Sequence, residues 1–154
     1  MARRREPAKP ARLDLAVYSD DRTLRNQVRQ ALGGLLADDL PPATVVEFAT
    51  APALLAAAHA GGLDCVILDA ETAPLGGMGL AHQLRDEVKD LPPLVLLVAR
   101  PVDVWLAAWS KADAVAPMPV DPLTLPVMVA GVIRQAQAGT LQNITLEPGA
   151  ASRH

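Results

Sequence analysis

The chain has 154 residues, 51% of them hydrophobic but only 3% aromatic, with a formal net charge of −3. That length suits a single domain with a sizeable core built from aliphatic side chains and alanine. No apolar stretch reaches the roughly 20 residues needed to span a membrane, and no apolar segment follows the basic start as a secretion signal requires.

Residues 1–12 carry Arg3, Arg4, Arg5, Lys9 and Arg12 against Glu6, a net of +4, which leaves −7 for the remainder. A basic arm can touch nucleic acid or acidic lipid. The acidic body would repel a phosphate backbone, so the arm, with Pro7 and Pro10, reads as a solubilising tail and no nucleic-acid partner is expected. "LDLAVY" (13–18) reads as a strand. Asp20 or Asp21 can cap a first helix whose apolar stripe is Leu24, Val28, Leu32, Leu35 and Leu36, with Arg22, Arg25, Asn26 and Arg29 outward. "ATVVEF" (43–48) is a more mixed strand, suited to a sheet edge. Thr50 and Pro52 open an alanine-rich helix that ends at Gly61-Gly62.

"LDCVIL" (63–68) is a third strand that drives into Asp69, and Leu80, Leu84 and Val88 mark a third helix. Between them "PLGGMG" reads as a flexible turn. It lacks the ending of a P-loop and the spacing of a dinucleotide fingerprint. "PLVLLV" (93–98) is the fourth strand, "VDVWLAAWSKA" (102–112) the fourth helix and "DAVAP" (113–117) a short fifth strand. Asp121-Pro122 opens a last helix running to about residue 137, but Pro126 sits awkwardly within it and points to a start a few residues later. The lone Cys65, inside an apolar run, fits a buried thiol in a reduced cytoplasm.

Strand and helix thus alternate, and two strands are continuously apolar, which predicts an α/β fold with a parallel sheet covered on both faces. In such sheets ligands meet the carboxyl ends of the strands. Ser19, Asp20 and Asp21 follow the first strand and Asp69 the third. If those strands are neighbours, Asp20 and Asp69, with Glu71 two residues on, form a carboxylate cluster suited to Mg²⁺.

The stretches "VYSDDRTLRNQVRQAL", "DCVILDAETAPLGGMGLAHQLRDE" and "LPPLVLLVARPVDVWLAAWSKADAVAPMPVDP", in this order and spacing, resemble the receiver domain of response regulators in two-component signalling. The likeness covers roughly residues 12–137 and is nearest to the stand-alone, atypical receivers of actinobacteria. It implies a flavodoxin-like, doubly wound sheet of five strands in the order 2-1-3-4-5. It also implies an arm over 1–12, a receiver over 13–137 and a tail over 138–154. By the same match Asp69 stands at the phospho-acceptor position.

The departures from the pattern are specific. Aligned through Leu24 and Arg25, the family's acidic pair falls on Ser19 and Asp20, so one acid is missing unless the register shifts to Asp20 and Asp21. Val98 stands where the family has a hydroxyl, Val115 where it has an aromatic and Met118 where it has a lysine before proline. The phosphoryl anchor and the mechanical relay are therefore both expected to be impaired. The expected role is a non-enzymatic interaction module, with a histidine kinase or another signalling protein as partner. A conventional phospho-switch on Asp69 and a small nucleotide-binding enzyme are the alternatives. Trp105 and Trp109, four apart in a helix apolar nearly all round, predict a homodimer through the fourth helix, fifth strand and fifth helix.

Overall fold

A computed structural model describes residues 12–72, 76–100 and 111–139. In chain order its elements are β1 (Leu13–Tyr18), α1 (Arg22–Leu32), β2 (Ala43–Phe48), α2 (Ala51–Ala60) and β3 (Cys65–Asp69). They continue with α3 (Gly76–Glu87), β4 (Leu94–Val98), β5 (Ala114–Pro117) and α4 (Thr124–Ala138). The helix expected over 102–112, with Trp105 and Trp109, lies outside the described residues apart from its last two, as do residues 1–11 and 140–154.

The strands form one parallel sheet in the order β2-β1-β3-β4-β5, the expected doubly wound architecture. β1, β3, β4 and β5 alternate their side chains between two cores, as a side-chain period of two requires. Leu15, Val17, Cys65, Ile67, Val95 and Leu97 pack under α1 and α4. Ala16, Tyr18, Val66, Leu68, Leu96 and Val115 pack under α2 and α3. β3 and β4 are buried along their whole length, which is why both read as unbroken apolar runs. The edge strand β2 alternates, with Val45 buried and Val46 exposed.

Several boundaries differ from the sequence reading. α1 stops at Leu32, where Gly33 caps it through a bond to the Arg29 carbonyl, so Leu35 and Leu36 are not on its stripe. Leu36 is still buried from the following loop, whereas Leu35 is exposed. Gly76, Gly77 and Gly79, read as a turn, lie within the opening turns of α3. Glycine costs a helix about 1 kcal/mol relative to alanine; packing of Leu80, Ala81 and Leu84 against the sheet overrides that preference. α4 starts at Thr124, the later start to which Pro126 points. Pro126 is then its third residue, where a backbone N–H has no partner within the helix, so the proline costs no hydrogen bond.

α4 buries Leu125, Val129, Ala130, Val132 and Ile133, so most of its apolar residues serve the sheet. Among the described residues at this end, Leu123, just before it, and Val127, one turn on, are the exposed large hydrophobics. Cys65 is fully buried, and burial pushes its thiol pKa far up, so it acts as a small core hydrophobe.

Candidate functional site

β1 and β3 are hydrogen-bonded neighbours, with Tyr18 paired to Leu68. Their carboxyl ends therefore deliver Ser19 and Asp69 to the same edge of the sheet. Asp69 is the last residue of β3 rather than a loop residue, and only 4% exposed. Its Oδ2 accepts a hydrogen bond from the Ser19 hydroxyl at 2.7 Å, and its Oδ1 accepts from the Glu71 amide at 2.8 Å. Neither of these two donors is a cation.

Ser19 is fully buried. Its Oγ also accepts from the Asp21 amide at 2.9 Å. An amide can only donate, so the single hydroxyl proton is directed to Asp69; the rotor is fixed by its neighbours. The Asp21 carboxylate faces away from this bond and caps α1, accepting from the amides of Thr23 and Leu24. Asp20 is exposed and takes no part in the cap. Of the three residues after β1, Ser19 is thus the one bonded to Asp69, Asp21 caps the helix and Asp20 is exposed.

Asp20 and Asp69 both act on Tyr18. Burial, then the charge of Asp20, then that of Asp69, raises its phenol pKa above the ordinary value of 10.0. Glu71 is exposed in the following turn and contributes its amide to Asp69, not a placed carboxylate. Among the described residues no three His, Cys, Asp or Glu side chains gather as a metal centre.

The three divergent positions are well placed by the fold. Val98 ends β4 and is packed in the same core as Val115. Met118, half-buried, packs on the opposite core. Its amide donates to the Val98 carbonyl at 2.8 Å, so these two positions are held side by side at the ends of β4 and β5. The Met118–Pro119 peptide is cis. None of the three side chains can donate a strong hydrogen bond toward Asp69.

Sequence reasoning missed three features. Ser19 counted as a polar group at the strand end and as an absent acid, but not as the hydrogen-bond partner of Asp69 that it is. Thr72 is buried, with its hydroxyl unpaired among the described residues, and no sequence signal marked it. Asp113 is buried just before β5, where it receives Arg85 of α3 and the Leu94 amide. An isolated "KADAV" carries no sign of that pair, because Arg85 is 28 residues away.

A parallel five-stranded sheet with a buried acid at the end of its third strand defines a receiver-type α/β domain. No protein-family model matches the chain. Two relatives from strains of Mycobacterium tuberculosis, named as uncharacterized response regulatory proteins, are each 46% identical over 128 residues, covering 83% of this chain and 96% of theirs. The chain belongs to the response regulators. Solved receiver domains share the fold. The receiver of a Francisella response regulator has a TM-score of 0.67 at 15% identity, over 80% of this chain and 98% of that one. The response regulator TrrA of Thermotoga maritima, in complex with Mg²⁺ and beryllofluoride, has a TM-score of 0.64 at 21% identity, over 78% and 98%.

Proposed function

We propose that this protein is an atypical receiver, in which Asp69 keeps the acceptor position but the phospho-switch is impaired, so that it acts chiefly as a protein-interaction module. The observation that carries this reading is the pairing of an intact, buried Asp69 with Val98, Val115 and Met118 at the places where a phosphoryl group would need partners. The attacking carboxylate itself is present. What is missing is a partner to hold the product, since a charge-assisted lysine contact is worth about 1.5–3 kcal/mol. Asp20 and Asp69, with Glu71 on the rim, would hold Mg²⁺ weakly, and the ion would offset the charge of an incoming phosphoryl group. The nucleotide-binding alternative loses support because the glycines it needs as a loop are helical. The domain is read as residues 13–137 between a basic arm and a tail, working without enzymatic turnover in the cytoplasm. Among the described residues no helix is long and apolar enough to cross a membrane.

Backbone NMR during titration with Mg²⁺ and then beryllofluoride tests this. Shifts are expected near Asp69 and Glu71, with no change in oligomeric state and none in β5 packing. A concerted change through β4 and β5 would instead establish a conventional switch. A silent Asp69 at tens of millimolar Mg²⁺ would remove the metal site.

A second element of the proposal is a homodimer through α4, β5 and the segment 102–112. It is supported by Leu123, 79% exposed, and Val127, 68% exposed, which are four residues apart and so share a side of the chain. The tryptophans that the sequence places on this surface, Trp105 and Trp109, lie outside the described residues. Sedimentation of Val127→Asp should show a dimer weakened at least about 10-fold with the fold intact, as expected for a charge forced into an apolar contact. A monomeric wild type at tens of micromolar would discard the dimer.

A further inference from the structure

The divergent β4–β5 positions leave open how a change at Asp69 is felt elsewhere. A second route is visible in the hydrogen bonds. The Ser19 hydroxyl donates to Asp69 Oδ2, and the same hydroxyl oxygen accepts from the Asp21 amide. The Ser19 carbonyl accepts from Arg25 Nη1 at 2.8 Å. Arg25 Nε in turn meets Glu47 Oε1 at 3.1 Å, and Glu47 Oε2 meets Arg29 Nε at 3.0 Å. The chain of contacts runs without a break from the buried acid to a polar groove of about 500 Å³ lined by Arg22, Thr23, Asn26, Arg29 and Glu47.

We infer that Ser19 is a positioning residue which couples the charge state of Asp69 to the N-terminus of α1 and its groove with β2, in place of the usual path through β4 and β5. This rests on the reading of Asp69 as the acceptor. The physical step is a change in acceptor strength. In the free state the hydroxyl donates to a carboxylate, and such charge-assisted bonds are roughly twice as strong as neutral ones. If the carboxylate attacks the phosphorus of an acyl phosphate, an Asp69 O–P bond forms. The P–O bond of the donor breaks, and the carboxylic leaving group departs with the electron pair. Both Asp69 oxygens then lose anionic character. The Ser19 proton stays on Ser19 but no longer has a carboxylate to hold it. The grip on the Asp21 amide relaxes, and with it the cap of α1 and the seat of Arg25. Ser19 is buried and without solvent to replace the lost partner, so the change must be absorbed by the residues bonded to it.

The test separates this coupling from phosphorylation. Asp69→Asn neutralises the acid without any donor. In the full chain it should speed amide exchange at Asp21, Thr23 and Leu24 by about 5-fold, the difference between a charge-assisted and a neutral bond. β5 should be unaffected. In a Ser19→Ala background the same substitution should produce no further change in α1, while Ser19→Thr, which keeps the hydroxyl, should restore the response. An undiminished effect in the alanine background, or an effect concentrated in β5, would overturn the inference. Loss of the response in a folded Ser19→Thr protein would do the same. The beryllofluoride titration is read separately: silence at Asp69 there removes the acceptor reading, while the Asp69→Asn cycle still decides whether Ser19 carries the coupling.

Discussion

Arg85→Met should lower the unfolding free energy by about 3 kcal/mol, at the low end of the range for removing one partner of a buried ion pair. Asp113 is only 2% exposed and its charge has no route to water, whereas Arg85 keeps an exposed edge. The arginine also ties α3 to the carbonyl of Lys111, and Asp113 receives the Leu94 amide at 2.7 Å. The pair therefore fastens the approach to β5 onto α3 and β4. Asp113→Ala should cost a similar amount: the freed guanidinium can extend into solvent, but the buried Leu94 amide loses its acceptor. Urea unfolding reads both as a lower midpoint at constant slope. Equal stability of Arg85→Met and wild type would mean that Asp113 is solvated in solution.

The double substitution Val98→Thr with Met118→Lys should tighten beryllofluoride binding by roughly 10- to 100-fold in the presence of Mg²⁺, the equivalent of one new charge-assisted contact. The backbone bond from Met118 to Val98 keeps the two positions adjacent, so both new groups start from the same end of the sheet as Asp69. Met118 is half-buried, so an ammonium there can reach water when the site is empty. Val98 is a packed core position, and its hydroxyl replacement should destabilise the free protein slightly. Isothermal titration of wild type, both single variants and the pair separates the contributions. If the pair binds no more tightly than wild type, the impairment lies elsewhere, and the Ser19–Asp69 bond becomes the first place to look.

The two predictions draw on different kinds of information. Val98 and Met118 were visible as departures from a pattern, because strand ends can be placed from apolar runs and the prolines that follow. Arg85 and Asp113 were not, because a charge in a helix and a charge before a strand look like solvated residues until the fold brings them together. The glycines of α3 show the opposite failure. Local preference favoured a turn, and packing of Leu80 and Leu84 against the sheet overruled it.

By itself, the sequence determined the alternation of strands and helices, the central place of β3 and β4, and the position of Asp69 at a strand end. Those features follow from side-chain periodicity and burial, which are local along the chain. Only the tertiary structure decided what Asp69 touches. Ser19 is 50 residues away from it, and whether that serine stands as a missing ligand or as a bound partner depends on the register between β1 and β3. That Asp21 is spent on capping α1 while Asp20 stays exposed was decided the same way. Two adjacent identical residues differ only in the direction the backbone gives them, and that direction is fixed where the strand ends and the helix begins.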